Sequence, residues 1–257
     1  VVPGARALRL VLQVPLERYV ASVVASEAGD APAEAQAAQA VVTRTWAAAH
    51  LRRHGDADAC DLTHCQLFRG EWTAASGRAA ERTTGRVLTH GDGPLPAFFH
   101  AACGGHTVAA KDVFGASGPE AVPDTGPGGK PWCAEPPWRF TVTRTRLARA
   151  LGLAGKGGVQ VTARTPDGRA LEVEAFGRCM PGPLFVARVG RALGYGTLRS
   201  TRFRVEGDGE RLRFQGEGRG HGVGFCQAGA AARARAGQRW EQLLEAYFPG
   251  RAISPPP

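Results

Sequence analysis

The chain has 257 residues, enough for one large folded domain or two small ones with a sizeable core. Apolar residues make up 43% of it, yet no run approaches the ~20 apolar residues of a membrane helix, so the sequence reads as one without an α-helical span. A net charge of +9 favours polyanionic partners, nucleic acid or an anionic wall polymer, and is equally served by a solvated basic surface. The chain opens on Val1 and shows no leader peptide, which leaves the compartment open. The 35 glycines and 18 prolines imply many turns, while recurrent apolar runs argue against disorder. Six cysteines, an even number, suit an oxidising compartment.

In chain order, Leu8, Leu10, Leu12 and Val14 alternate with Arg9, Val11 and Gln13, which predicts a half-buried strand. Pro15 ends it and suits the first turn of a helix, on which Leu16, Tyr19, Val20, Val23, Val24 and Glu27 share helical spacing. Gly29-Asp30-Ala31-Pro32 breaks that helix, and a second, Ala-rich one is expected from Pro32 to Leu51. A polar loop rich in His and Cys covers 52–70. Hairpins are expected at 87–90 with 95–99, at 159–161 with 171–173, and at 203–206 with 211–214. A long Gly- and Pro-containing loop spans 115–138, and two helices, near 226–236 and 238–247, close the chain. Helices and hairpins without a βαβ rhythm make the class α+β.

Three features carry candidate chemistry. Glu27 shares a helix face with Val23 and Val24, so it is expected to lose hydration and to rise in pKa, as a general acid requires. On this pattern alone an ordinary helix-end glutamate is the commoner outcome. His54, Cys60, His64 and Cys65 supply the donors of a tetrahedral zinc, although H-x5-C-x3-H-C is not a zinc-finger spacing. A Cys60–Cys65 disulfide is the alternative, and zinc is the reading that also accounts for both histidines. Gly216-Glu217-Gly218-Arg219-Gly220-His221-Gly222-Val223-Gly224 places glycine at every second position, which lets backbone approach a ligand and projects Arg219 and His221 toward it. It matches neither a dinucleotide nor a Walker fingerprint. Cys226 raises a thiol nucleophile, but a Cys179–Cys226 disulfide beside a Cys103–Cys133 one is simpler; six cysteines allow about 15 full pairings.

Together these residues resemble the SpoIID/LytB family of stage II sporulation protein D and amidase-enhancer proteins. Val14-Pro15-Leu16-Glu17-Arg18-Tyr19-Val20 looks like the opening "PLEEYL" of that family, and Val24-Ala25-Ser26-Glu27 its "VAAEM". Gln36 to Trp46 is similar to its "ALKAQAVAARTY" helix, and Asp61-Leu62-Thr63-His64-Cys65-Gln66-Leu67-Phe68-Arg69-Gly70 to its "DTTHCQVYRG". Cys103-Gly104-Gly105-His106-Thr107, Asp112-Val113-Phe114-Gly115, Leu198 to Phe203, Gly218 to Gln227 and Tyr247-Phe248-Pro249-Gly250 follow in the family's order. Cys226 stands where that family usually has Ser, and Ala228 where Tyr is common.

The resemblance implies a single SpoIID-like domain, with a helix and zinc-loop lobe (1–138), a β-rich lobe (139–215) and a glycine-histidine loop with C-terminal helices (216–257) returning to a groove. It implies an exported, monomeric lytic transglycosylase that cuts the MurNAc–GlcNAc bond of peptidoglycan glycan strands. Glu27 is its catalytic residue by motif, and zinc at 54–65 is a feature of some members. Arg44, Arg219, His221 and Gln227 are the expected substrate contacts. A non-catalytic amidase enhancer is the first alternative. A hydrolase using Asp30, Glu34 or Asp61 as second carboxylate, and a nucleic-acid binder supported by charge alone, are the others.

Overall fold

A computed structural model of the chain describes residues 2–3, 8–154 and 157–254. Its helices and small, mostly antiparallel sheets make it α+β, as expected. The chain divides into two compact units, the first of 1–98, 234–245 and 249–257, the second of 99–233 and 246–248. No helix among the described residues is long and apolar enough to cross a membrane.

The first unit is built on three helices, α1 (Leu16–Ala28), α2 (Ala33–Ala49) and α3 (Ala74–Arg82). Prolines 15 and 32 sit at the N-caps of α1 and α2, where a fixed φ helps to start a helix. The break between them is closed by Gln36, whose Nε2 donates to the carbonyls of Gly29 (2.9 Å) and Ala31 (3.0 Å). Val20, Val23 and Val24 of α1 are fully buried, each contributing about 1.5–3 kcal/mol. Against them α2 presents mostly Ala and Val, small enough for the helices to approach closely. Helix α3, which the sequence reading missed, starts on a reciprocal cap: Thr73 Oγ1 accepts from Ser76 N (3.1 Å) and Ser76 Oγ accepts from Thr73 N (3.0 Å).

Two expectations fail in this unit. The strand over 8–14 shrinks to Leu8–Arg9, and Leu10 and Leu12 are 80% and 69% exposed. Alternation predicts a buried face only where a partner surface exists, and among the described residues the strand's ladder partner is the two-residue segment Val2–Pro3. The hairpin at 87–99 is also shorter. Val87–His90 pairs with Gly93–Pro94 and with Ala252–Ser254, and the chain then leaves that sheet.

In the second unit, Arg211–Gly216 is the central strand of an antiparallel sheet, between Phe203–Asp208 and Trp138–Thr143. A second sheet joins Val159–Arg164, Ala170–Ala175 and Arg178–Pro181. Helices Arg144–Leu151 and Gly182–Leu193 complete a core around Phe185, Phe203, Phe214, Leu147 and Val173. Both expected hairpins of this unit are present; the first turns at the expected Thr165-Pro166-Asp167-Gly168, while in the second Gly207 and Asp208 extend the strand and the turn tightens to 209–210. Phe99–His100 pairs in parallel with Phe225–Cys226, so Phe99, the last residue of the segment predicted to close the 87–99 hairpin, serves the other unit.

The candidate acid and a histidine-cysteine loop

Glu27 lies in the last turn of α1, one residue before the helix ends. It is half-buried, and its Oε1 accepts from the backbone N–H of Leu67 at 3.0 Å. Burial raises its pKa above the ordinary carboxylate value, against the opposing effect of the Leu67 N–H. The carboxylate also sits at the negative end of the helix dipole, which acts in the same direction as burial. The segment that meets Glu27 is fastened along α1 at further points. Tyr19 donates its hydroxyl to Gln66 Oε1 (2.9 Å) and stacks on Phe68, and Arg69 N donates to Ser22 Oγ (3.4 Å).

The loop immediately before this segment gathers His54, Cys60, His64 and Cys65, with one donor atom of each within 4.8 Å of all the others. Tetrahedral zinc bonded to sulfur at about 2.3 Å and to nitrogen at about 2.0–2.1 Å separates the two donors by about 3.6 Å. His64 Nδ1 is 3.6 Å from Cys65 Sγ and 3.7 Å from Cys60 Sγ, while His54 Nε2 is 3.1 Å from Cys65 Sγ. Convergence of both imidazoles on both sulfurs fits a metal. A Cys60–Cys65 disulfide would give the histidines no reason to be there. Both cysteines are free thiols.

Arg44 does not serve as a substrate contact in this arrangement. It is fully buried, its guanidinium paired with the Glu17 carboxylate at 2.6 and 2.9 Å. It also donates to the carbonyls of Arg86 (3.0 Å) and Ala80 (3.2 Å), so it ties α1 and α3 to α2. Glu34, considered as a second carboxylate, is likewise engaged: it binds Arg82 (2.8 Å) and accepts from Trp240 N (3.0 Å). Asp30 and Asp61 are exposed.

The remaining expected contacts lie in the second unit. The glycine-rich loop is threaded into the fold. Arg219 exchanges backbone bonds with Ala102 (3.0 and 2.8 Å), Gly220 N donates to Arg199 O, and Val108 N to Gly222 O. Gly218, Gly220, Gly222 and Gly224 all have positive φ, which explains the alternation. The space they free is taken by the protein itself, since a Cβ on Gly222 would overlap the Arg169 guanidinium. His221 is half-buried and held by the loop's surroundings. Its Nδ1 accepts from Val223 N (3.0 Å), the ring hydrogen-bonds the Phe99 backbone, and desolvation pulls its pKa down to about 4. The imidazole is thus bonded to the backbone of its own surroundings, which positions the loop. Arg219 is exposed and pairs with Glu135 (3.0 Å), and Gln227 is half-buried at the start of its helix.

The proposed Cys179–Cys226 pairing is overturned. Cys179 is exposed on a strand edge beside Glu172 and Glu174, whereas Cys226 is buried with Cys103 and Cys133. The sequence reading also passed over three buried polar residues of this unit. Asp124 binds Tyr247 (2.8 Å) and Arg233 (3.2 Å), Arg169 binds Asp167 (3.1 Å) and the Cys103 carbonyl (2.8 Å), and His100 bonds Val223 O (3.1 Å). Only the apolar run before His100 and the Thr-Pro-Asp-Gly turn before Arg169 hinted that these side chains would fold inward.

Residues 5–90, which hold α1, α2 and the histidine-cysteine loop, match the model of the SpoIID family, described as stage II sporulation protein. An uncharacterized protein of Brachyspira hyodysenteriae is 32% identical over 118 residues, 43% of this chain. The chain spans about a third of that relative's length, the aligned region being 32% of it.

Proposed function

We propose, from the match of residues 5–90 to the SpoIID family model, that this protein is a peptidoglycan lytic transglycosylase with Glu27 as its single acid and base. The observation that carries this is the Glu27 carboxyl: half-buried, raised in pKa and oriented by Leu67 N–H at 3.0 Å. A raised pKa lets the carboxyl hold its proton to a higher pH than an ordinary glutamate does. Glu27 gives that proton to the bridging oxygen of the MurNAc–GlcNAc bond as the anomeric C–O bond breaks. The MurNAc 6-hydroxyl then bonds to the anomeric carbon and returns its proton to Glu27. The product is a 1,6-anhydroMurNAc end, the acid is regenerated, and no second carboxylate is required. The occupied state of Glu34 and the exposure of Asp30 and Asp61 agree with such a one-acid route.

His54, Cys60, His64 and Cys65 would hold a structural zinc; with four protein donors no position is left for substrate or water. Its place immediately before Gln66-Leu67-Phe68 gives it a role in fixing the segment that orients Glu27. Arg219 and Gln227 are proposed as glycan contacts, Arg219 exchanging Glu135 for an acidic group of the strand. Such a substrate places the protein outside the cytoplasm, where the basic net charge favours an anionic polymer. Incubation with purified glycan strands, followed by mass analysis, tests the reading. Anhydro ends support it, and reducing ends one water heavier indicate a hydrolase. Binding without new ends indicates a non-catalytic partner of a cell-wall amidase.

A further inference from the structure

We propose that Cys103, Cys133, Cys226 and His100 form a second metal site, a closed three-thiolate, one-imidazole zinc centre inside the second unit. The donor atoms of His100, Cys103 and Cys226 lie within 4.8 Å of one another, and all three residues are buried. Cys133 lies outside that group of three; it is also buried, beside Cys103 and Cys226, and is assigned as the fourth donor. Three cysteines and one imidazole are the donor set of a Cys3His zinc centre.

The imidazole is in the form such a centre needs. His100 Nδ1 faces the Val223 carbonyl at 3.1 Å, so Nδ1 carries the proton and Nε2 carries the lone pair. That Nε2 is buried with no hydrogen-bond partner, a situation that costs about 1–3 kcal/mol unless something binds it. A backbone carbonyl on the far nitrogen is also how metal-binding histidines are usually oriented. The sulfurs receive backbone N–H groups: Cys103 N (3.2 Å) and Gly229 N (3.4 Å) point to Cys226, and Gly105 N (3.3 Å) to Cys103. Gly104 N–H serves Cys133. Such bonds stabilise thiolates and hold them in place.

The fold brings His100, Cys103 and Cys226 together and places Cys133 beside the two sulfurs. His100 and Cys226 are register partners in the parallel pair Phe99–His100 and Phe225–Cys226. Cys103 follows His100 by three residues. Cys133 arrives on the loop fixed by Trp132 N to Asp124 O (2.9 Å) and the Thr125–Pro131 bridge. Asp124 Oδ2 accepts from the Cys103 thiol at 3.3 Å and is itself paired with Arg233, so its charge is offset when metal replaces the thiol proton. A disulfide between any two of the three cysteines leaves the third thiol and the His100 nitrogen unused; a metal uses all four. Binding zinc releases three thiol protons and joins the glycine-rich loop, the 99–103 segment and the 124–133 loop at one point.

The test is zinc content of the full chain, purified with a non-thiol reductant and freed of loose metal. The wild type is expected to hold two zinc ions per chain. Cys226→Ser removes one, Cys60→Ser with Cys65→Ser removes the other, and all three substitutions together remove both. Loading the Cys60→Ser, Cys65→Ser chain with cobalt(II) is expected to give tetrahedral bands with thiolate-to-cobalt charge transfer. Those bands disappear on adding Cys226→Ser and weaken with His100→Gln, while far-ultraviolet circular dichroism stays unchanged. A folded Cys60→Ser, Cys65→Ser chain with no zinc and no such bands overturns the site. So does peptide mapping of the untreated wild type that finds Cys103 joined to Cys133.

Discussion

Replacing Glu27 by Gln separates chemistry from structure. Gln keeps an acceptor for Leu67 N–H, so the 3.0 Å bond and the docking of residues 66–69 on α1 survive. It cannot carry the transferable proton. Loss of general acid catalysis costs about 10²–10⁴-fold, roughly 3–5 kcal/mol of barrier. Stability moves the other way. A carboxyl whose pKa is raised on folding favours the protonated folded state, so its contribution is fully present below the unfolded pKa and is lost as pH rises through the folded one. At neutral pH the wild type therefore bears a penalty that Glu27→Gln removes, and its melting temperature is expected to equal or exceed the wild type's. Glu27→Ala loses the acceptor as well, and leaving the Leu67 N–H unpaired costs about 1–3 kcal/mol. Glycan-release rates from pH 4 to 9, with thermal melts over the same range, read both effects. Wild-type activity falls on the alkaline side as Glu27 loses its proton. A Gln variant that retains release, or melts well below wild type at pH 7, refutes the assignment of a buried acid.

Glu17→Ala leaves the fully buried Arg44 guanidinium without its counter-ion, and about 3 kcal/mol is expected from urea unfolding; a change under 1 kcal/mol would return Arg44 to the list of substrate contacts. Thr73→Ala removes half of the reciprocal cap on α3 and is expected to cost about 1 kcal/mol in the same assay. Gly222→Ala combines a positive φ with overlap of the buried Arg169, so a loss of about 2 kcal/mol or more in thermal melts is expected, and a neutral result contradicts the close packing of that loop.

Much of the first unit was legible because its signals are local. The 3.6-residue spacing of Val20, Val23 and Val24 and the breaker at 29–32 define α1 and α2 without knowledge of the rest. The turn at 165–168 and the Gly207-Asp208-Gly209 signal, which the structure tightens to 209–210, set their hairpins in the same way. What failed depends on partners distant in sequence. Leu10 and Leu12 alternate correctly but meet no sheet among the described residues that could bury them. Arg44 and His221 have the chemistry of sugar-binding groups, and only the fold reveals that Glu17 and the Phe99 and Val223 backbone occupy them. Cysteine pairing failed for a related reason. Spacing cannot show that Cys226 shares a strand register with His100, so a fourth donor for three sulfurs was invisible. The histidine-cysteine loop was legible because its four donors fall within twelve residues, and the structure brings them within 4.8 Å.

The central claim, that Glu27 drives intramolecular trapping by the sugar's own hydroxyl, is tested most directly by digesting glycan strands in water enriched in oxygen-18. The account predicts new anhydro ends with no heavy oxygen incorporated, formed by the wild type and absent with Glu27→Gln. Incorporation of one heavy oxygen per cleaved bond would show that water is the nucleophile and contradict it.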